Sequence, residues 1–534
     1  MPFTTPAATT FALLAILLLA TAAAPPGERG SAQPPSATVD TTATESSGRT
    51  IAVPSGGDLQ AALESAQAGD SLVLEPGATY RGPFTLPRKS GSGWIVIRTA
   101  DAGLPQTGVR VDPARAGRMA KLVAAAGSGP VVRTAPGAHH YRFVGLEIRP
   151  ADGAFLYGLI EIGLKETSVD ALPHHVIIER CYLHGDPRLG SRRGVALNGA
   201  HLAVIDSYLA DFKEIGADSQ AIAGWNGPGP FKIANNYLEG AGENVMFGGA
   251  DPSIRDLVPS DIEILRNHFR KPLSWKQDHE TYAGSKWTVK NLFELKNARR
   301  VLVQGNLLEN NWVQAQVGFA LVFTVANQDG RAPWTAVEDV TFASNIVRGA
   351  TGGVNITGRD NVSGSQPSRR IVIRNNLFAD IGGPRWGGEG RLFQIIDSTS
   401  SVVIDHNTAI HVGNIITAEG PPHRGFVFTD NIVAHNTYGI VGSAVGTGTQ
   451  ALDALFPGAI VRRNVIVGGS SSQYPRDNFF VGTWTQVKFE DLSKGQVRLT
   501  ENSPFRRAGL DGTDIGVDYT ALSRSARPGG DGRR

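Results

Sequence analysis

A charged pair interrupts an apolar pattern in the segment KNLFELKNARRVLVQGNLLEN, residues 290–310. Phe293 and Leu295 alternate there with Glu294 and Lys296. Because successive side chains of a β-strand point to opposite faces, the pattern predicts a strand that presents the glutamate and the lysine together. Such a lysine either removes a proton from a bound molecule or forms an ordinary salt bridge with its neighbour.

The strand belongs to a chain that repeats an apolar phrase of the type V-x-I-x-x-N. The phrase recurs as VIIERC, LAVIDS, FKIANN, IEILRN, VLVQGN, VTFASN, IVIRNN, VVIDHN, FVFTDN and IVRRN. Its last residues, spaced 24 to 39 residues apart, are Cys181, Ser207, Asn236, Asn267, Asn306, Asn345, Asn376, Asn407, Asn431 and Asn464. Repeats of this length predict a solenoid, and their period-2 alternation predicts β-strands.

Asparagine suits the end of each phrase because it tolerates the left-handed backbone region and its amide bonds to neighbouring backbone. Stacked coils then predict an internal ladder of amides. Over residues 50–520 the chain resembles the right-handed parallel β-helix proteins of the pectin-lyase-like superfamily. The resemblance implies an all-β, single-stranded solenoid of roughly a dozen coils with loop insertions. A short helix carrying Leu59 and Leu63 on one face is predicted to cap its open N-terminal end.

A second set of strands lies between the asparagine corners, namely GVALNG, QAIAGW, ENVMFGG, NLFELKN, FALVFT, GVNITG and LFQIID. Parallel stacking makes them one sheet. Its outward column is predicted to contain Met246, Glu294, Lys296, Asn355, Thr357 and Gln394. The two longest intervals between corners, 39 residues each, flank the Glu294 strand. Their insertions, RKPLSWKQDHETYAGSKW and VANQDGRAPWTAVED, are predicted to form walls beside it.

The stretch FELKNARRVLVQGN resembles the segment of chondroitinase B-type and alginate lyases in which a strand ends with the catalytic lysine just before a corner. The resemblance implies that Lys296 removes the proton α to a uronate carboxylate. It also implies a calcium ion held by Asn and acidic residues. Glu243, Asn244 and Glu294, on adjacent coils, are the candidate oxygen ligands.

The resembled lyases also carry an arginine one coil further on. Thr324 stands at that place here, which leaves Arg331 or Arg359 as candidates for binding the substrate carboxylate. His279, inside the first insertion, is a candidate auxiliary acid. Tryptophans concentrate around the insertions: Trp275, Trp287, Trp312 and Trp334 either stack on sugar rings, with Asn355 as a polar contact, or anchor the loops by packing.

Two other interpretations remain open. A glycoside hydrolase would pair Glu243 with Glu294 or Asp329 as acid and base or nucleophile. A non-catalytic β-helix would hold a glycan in its groove. The Asp405–His406 doublet echoes a pair found in pectate lyases, but it occupies the polar lead-in that every corner strand carries.

The composition of the chain and of its two ends indicates the domain organisation. Residues 1–24 are uncharged and contain FALLAILLLA, which predicts a signal peptide, with export to the periplasm, cell surface or medium. Residues 25–49 are predicted to be a flexible spacer, and residues 521–534 a disordered basic tail. A net charge of +2 gives no indication of a nucleic-acid partner, no membrane span is predicted, and a polysaccharide ligand and a monomer are expected.

Overall fold

Three long sheets, here called A, B and C, form the body of the protein. The computed structural model describes residues 31–42, 46–100 and 103–525. Sheet A comprises Thr50–Val53, Ser71–Leu74, Ile95–Thr99, His139–Val144, His174–Glu179, Ala200–Ile205, Phe231–Ala234, Ser260–Leu265, Ala298–Gln304, Val337–Ala343, Arg369–Arg374, Ser400–Asp405, Val427–Thr429 and Ile460–Arg462. Sheet B comprises Thr79–Arg81, Ala120–Ala124, Leu146–Pro150, Tyr182–His184, Tyr208–Phe212, Tyr237–Gly240, His268–Arg270, Leu307–Asn311, Ile346–Ala350, Leu377–Ile381, Thr408–His411, Ile432–Ala434, Val465–Val467 and Phe479–Val481.

Sheet C carries the charged strand found in the sequence. It comprises Phe84–Leu86, Val132–Thr134, Ile160–Ile162, Arg193–Leu197, Gln220–Gly224, Glu243–Phe247, Phe293–Leu295, Phe319–Thr324, Gly352–Thr357, Phe393–Ile396, Ile416–Glu419, Ile440–Gly442 and Gly446–Thr447. All pairs in the three sheets are parallel except the last pair of sheet C. Because the chain visits A, then B, then C before returning one coil further along, it is a parallel β-helix, as the sequence predicted.

The remaining elements are short. Within residues 31–525, as far as the structure describes them, the α-helices are α1 (Leu59–Ser65), α2 (Thr449–Leu455) and α3 (Tyr519–Ser525). The 3₁₀ turns span Pro113–Arg118, Val169–Ala171, Leu273–Trp275, Trp484–Gln486 and Leu492–Lys494, and an antiparallel pair joins Phe489–Asp491 to Gln496–Leu499. Among the residues described, no helix is long and apolar enough to cross a membrane.

The predicted amide ladder occupies the corner between sheets A and B. Asn306 donates from Nδ2 to Asn345 Oδ1 at 2.9 Å and accepts at its own Oδ1 from Asn267 Nδ2 at 3.1 Å. The same contact continues upward to Asn464, and Asn478 adds a rung that the sequence phrase did not include. Every rung is buried, so the ladder satisfies polar groups inside the solenoid.

Helices close the two ends of the apolar core. Asp58 accepts from the Ala61 amide and caps α1, which buries Leu59 and Leu63 as predicted. At the opposite end α2 buries Leu452 and Leu455 against the same core. Both helices cover core surface that the first and last coils would otherwise expose.

Two predictions about the chain ends need correction. Residues 31–42, assigned to a flexible spacer, lie along the outer face of sheet A. The Gln33 amide donates to Asp339, Ser36 donates to Asp261, and Val39 is buried. The segment is held because it fills an apolar hollow and satisfies carboxylates that the sheet presents. At the other end α3 takes up residues 521–525 of the predicted disordered tail and buries Leu522. The predicted signal peptide, residues 1–24, and residues 526–534 lie outside the described residues.

Candidate functional site

The charged strand lies where the sequence placed it, with its polar residues on the outer face of sheet C. Phe293 and Leu295 are buried in the core. Glu294 pairs in register with Met246 on one side and Val322 on the other, and Val322 pairs with Asn355. The predicted outward column is therefore correct in register.

Glu294 and Lys296 form a loose ion pair. Lys296 Nζ lies 3.6 Å from Glu294 Oε1 and 3.4 Å from the exposed Gln328 Oε1. The lysine side chain keeps 19% of its surface exposed, whereas the glutamate side chain keeps 4%. Asn291 Nδ2 donates to Glu294 Oε2 at 2.9 Å. The carboxylate is thus fixed beneath the surface, and the lysine tip is the part of the pair that a ligand can reach.

Gly248 makes room for this lysine. Its φ of +96° lies in a region that L side chains rarely adopt, and a Cβ there would sit 2.8 Å from Lys296 Cβ. The close approach of these two coils explains the glycine that follows Phe247.

A buried lysine, Lys290, joins the carboxylates. Its Nζ lies 3.0 Å from Glu243 Oε1, as an ion pair without hydrogen-bond alignment, and 2.7 Å from Asp218 Oδ2. Gln220 Nε2 donates to Glu243 Oε2 at 2.8 Å. Burial alone would lower the pKa of Lys290, but Glu243, Glu294 and Asp218 outweigh it and raise that pKa.

Glu243 is fully buried at the beginning of its strand. Burial, and then the negative charge of Glu294, raise the pKa of the Glu243 carboxyl above its ordinary value. The Lys290 ammonium acts in the opposite direction by stabilising the carboxylate. The site therefore concentrates three carboxylates around one buried cation, with Lys296 at its outer edge.

Asn244 does not belong to this face, and its predicted role as a metal ligand is wrong for a geometric reason. Its Nδ2 donates to the carbonyl oxygens of Leu238 at 2.7 Å and Arg270 at 2.9 Å, while its Oδ1 faces Lys271 Nζ at 3.3 Å. All three contacts lie on the inner side of the coil. Glu243 and Asn244 therefore point to opposite sides and cannot share a ligand.

Lys271 supports the turn that precedes Glu243. Its buried Nζ donates to the carbonyl oxygens of Gly240, Ala241 and Gly242 at 2.6, 2.9 and 3.1 Å. Burial lowers the pKa of this lysine, and the negative charge of Glu243 acts in the opposite direction. Lys271 thus holds the backbone that aims Glu243 outward.

The donor set does not fit the calcium ion implied by the resemblance. Calcium takes six to eight oxygen ligands and favours a site with excess negative charge. Here Gln220 and Lys290 contact the two oxygens of Glu243, and Asn291 and Lys296 face those of Glu294. Lysine ammonium groups occupy the positions from which a cation would be bound.

The remaining predicted catalytic residues are not brought to Lys296. Arg331 is exposed, and its guanidinium pairs with Asp329 at 2.9 Å. Arg359 is exposed as well, and His279 contacts Thr281 through Nδ1 at 2.9 Å. In the described part of the chain, no polar contact links any of these three residues to Glu294 or Lys296. Asp329 is engaged by Arg331, so it does not pair with Glu243 either.

Three of the four candidate sugar-stacking tryptophans are buried. Trp275, Trp287 and Trp312 pack with Trp386 and Val289 in a separate apolar cluster beneath the first insertion. They anchor that loop, and their predicted stacking role does not fit this burial. Trp334 is half-buried and donates from Nε1 to the Leu257 carbonyl at 3.1 Å.

Asn355 remains on the outer face beyond Lys296. It is half-buried, and its Oδ1 accepts from Gln394 Nε2 at 3.2 Å. Arg391 in turn donates to Gln394 Oε1 at 2.7 Å and lines a 280 Å³ hollow. A polar strip therefore runs along sheet C from Lys296 towards Arg391.

Sequence reasoning missed Asp218, Gln220, Lys290, Asn291 and Gln328. Lys290 and Asn291 lie in the charged segment itself, six and five residues before Lys296, so the sequence alone could have indicated them. Gln220 begins a strand of the same sheet, which was also a usable signal. Asp218 and Gln328 lie in loops, and only the fold brings them to the site.

Comparison with known proteins bears on the fold alone. No protein-family model and no curated protein matches the chain. Among solved structures, the catalytic unit of the GH87 α-1,3-glucanase from Streptomyces thermodiastaticus matches at TM-score 0.49 and 12% identity, covering 82% of this chain and 71% of its own. The PL6 alginate lyase AlyGC matches at 0.46 and 13%, covering 90% and 59%. Pectate lyase Pel9A matches at 0.34 and 14%, covering 88% and 96%.

Proposed function

We propose that the protein is an exported enzyme that cleaves an anionic, uronate-containing polysaccharide by β-elimination on the outer face of sheet C. The observation that carries the proposal is the position of Lys296. It is a lysine with an accessible tip, beside a buried carboxylate whose neighbourhood already contains a second cation. A lysine in such a setting can take up a carbon-bound proton.

The reaction assigns one step to each group. The neutral amine of Lys296 removes the proton α to the uronate carboxylate. The electron pair then forms a double bond within the uronate ring as the bond to the neighbouring glycosidic oxygen breaks. That oxygen leaves with the electron pair and takes a proton from water. The products are an unsaturated uronide and a new chain end.

The charge balance supports this role for the lysine. Glu294 places one negative charge 3.6 Å from Lys296 Nζ. Lys290 offsets that charge, because Glu294 is among the carboxylates that act on Lys290. Lys290 thus supplies, from within the chain, positive charge next to the carboxylates.

Substrate binding is assigned to the polar strip that continues from the lysine. Gln328, Asn355 and Arg391 offer an amide oxygen, an amide and a guanidinium on this side of the protein. A guanidinium recognises a carboxylate by paired hydrogen bonds. The guanidinium of Arg391 pairs with the exposed Glu389 at 2.5 Å, so a uronate carboxylate would replace Glu389 there.

The test is the ultraviolet absorbance of unsaturated uronides, measured on alginate, pectate and glycosaminoglycans with and without EDTA. Wild type is expected to generate absorbance on one of them, unaffected by EDTA, and Lys296→Ala to lose at least about a hundredfold in rate. Arg331→Ala, at an exposed residue off the strip, is the matched control and is expected to retain activity.

Other outcomes distinguish the alternatives. New reducing ends without unsaturation would indicate a hydrolase, for which the raised pKa of Glu243 is the favouring observation. Binding to a glycan without cleavage would indicate a non-catalytic β-helix. Absorbance that survives in Lys296→Ala would exclude this lysine as the base.

A further inference from the structure

Histidines line the beginning of three successive strands on the outer face of sheet A. His139 and His140 begin one strand, His174 and His175 the next, and His201 is the second residue of the third. Parallel pairing places His139 and His174 in register. The rings of like position stack along the solenoid, with centroids 4.7 Å apart for His139 and His174 and 4.5 Å for His140 and His175.

The backbone conformation sets the ring of the second histidine of each pair at an angle to the ring of the first. His140 and His175 have φ of 59° and 54°, in the left-handed region. Their rings consequently stand nearly perpendicular to those of His139 and His174, at 86° and 83°. In each pair the two Nδ1 atoms lie 2.8 Å apart. This arrangement converges ring nitrogens that a regular strand would send to opposite faces.

We propose that His139, His140 and His174 bind a borderline transition-metal ion, Zn²⁺ or Cu²⁺, on the outer face of sheet A. Each of the three residues offers a ring nitrogen, and these nitrogens lie within 4.8 Å of one another. At metal–nitrogen bonds of about 2.0–2.1 Å, two imidazoles on one ion have nitrogens about 3 Å apart. The pair at 2.8 Å meets that spacing, and the third imidazole must move inward by no more than about 2 Å, which side-chain rotation provides.

Burial and neighbouring positive charge both act on the imidazoles of this cluster. Burial, with help from neighbouring histidines, lowers the pKa of His140 and of His175 to about 4. Burial also lowers the pKa of His174, and the positive charge of Arg88 contributes to that shift. Arg88 is the nearby charge that opposes cation binding.

The ligand types select the class of metal. An all-imidazole set suits Zn²⁺, Cu²⁺ and Ni²⁺, whereas Ca²⁺ and Mg²⁺ prefer oxygen. The site is separate from the proposed catalytic face, because its strands belong to sheet A and Lys296 to sheet C. Among the described residues one other group has suitable spacing: Asp405, His406 and Asp430. There His406 already contacts Asp405 and Thr513 through its two ring nitrogens, at 3.0 and 3.1 Å.

The experiment is calorimetric titration of Zn²⁺ and Cu²⁺ into the EDTA-stripped chain produced without a histidine tag. Wild type is expected to bind one ion per chain with micromolar affinity. His139→Asn and His174→Asn are each expected to weaken binding at least about tenfold. Two matched controls are expected to keep the wild-type affinity: His201→Asn, which stacks on His175 outside the group, and His406→Asn.

A second measurement keeps the test decisive if a variant is less stable. Bound Cu²⁺ should show nitrogen hyperfine splitting in its electron paramagnetic resonance spectrum, and Zn²⁺ should raise the wild-type Tm but not that of His139→Asn. Absence of saturable binding, wild-type affinity in both ligand variants, or loss of binding only in His406→Asn would each overturn the proposal.

Discussion

At the scale of single residues, the site on sheet C depends on one buried ammonium group. Lys290 contacts Glu243 at 3.0 Å and Asp218 at 2.7 Å, and the charge of Glu294 acts on it as well. Removing one partner from a buried ion pair leaves an uncompensated charge in a medium that solvates it poorly. The stability of this part of the fold should therefore be sensitive to the lysine charge and much less sensitive to its apolar stem.

We expect Lys290→Met to lower the free energy of unfolding by about 3–5 kcal/mol, because the buried carboxylate of Glu243 loses its cation. Urea denaturation monitored by circular dichroism measures the change. Lys494→Met is the matched control: its partner Asp491 forms an exposed pair, so little change is expected. A loss below about 1 kcal/mol in Lys290→Met would show that the pair contributes little.

A double variant separates charge from packing. Glu243→Gln in the Lys290→Met background removes both members of the pair, so it should recover much of the lost stability. If the double variant is no more stable than Lys290→Met, the effect arises from packing and the electrostatic account is wrong.

At the scale of the element, the asparagine ladder ties one coil to the next. Asn306 donates to Asn345 and to the Ile264 carbonyl, both at 2.9 Å, and accepts from Asn267. Asn306→Ala leaves buried polar partners unsatisfied on both neighbouring coils. Since each such group costs about 1–3 kcal/mol, we expect a loss of at least about 3 kcal/mol in urea denaturation.

Asn361→Ala provides the comparison, because Asn361 is exposed and lies in a loop. Its unfolding midpoint should match that of wild type. Equal midpoints for Asn306→Ala and Asn361→Ala would mean that the ladder accompanies the fold without stabilising it.

The ladder was predictable because the sequence repeats its residue type at every corner. The orientation of side chains at the beginning of the sheet C strands was not predictable, because two consecutive residues there face the core. Leu292 and Phe293 are both in the core, as are Ala320 and Leu321. Asn244 and Val245 follow the same rule, and this break in period 2 sends Asn244 inward and Glu243 outward. Alternation alone predicts the central register but fails where these strands begin.

At the scale of the whole molecule, long-range packing decided what local composition could not. Residues 31–42, part of the predicted spacer, are rich in Pro, Ser and Thr, yet Val39 packs on sheet A with Ile177 and Ala203. The sequence left the tryptophans near the charged strand as either sugar-stacking residues or loop anchors, and three of them, Trp275, Trp287 and Trp312, form an apolar cluster beneath an inserted loop. In both cases the deciding partner lies far away in sequence, so no local pattern carries the information.

The stacked histidines of sheet A make the stability of the whole protein sensitive to acid. His140 and His175 have folded-state pKa values of about 4, against about 6.5 for an unfolded chain. The unfolded state therefore binds more protons between these values, and the folded state loses stability as the pH falls from about 6.5 to about 4. Below about pH 4 these two residues contribute no further loss.

We expect the double variant His140→Asn, His175→Asn to lose less stability than wild type between pH 7 and pH 4. Urea midpoints measured in EDTA give the comparison. Glu239 and Asp430 have raised pKa values, so their protonation stabilises the folded state as the pH falls through the same range. Both residues are present in wild type and in the double variant, so their contribution cancels in the difference. His279→Asn, in an exposed loop, should follow the wild-type curve. Parallel curves for wild type and the double variant would show that the stacked imidazoles carry no acid sensitivity, because their protonation then costs the folded state nothing.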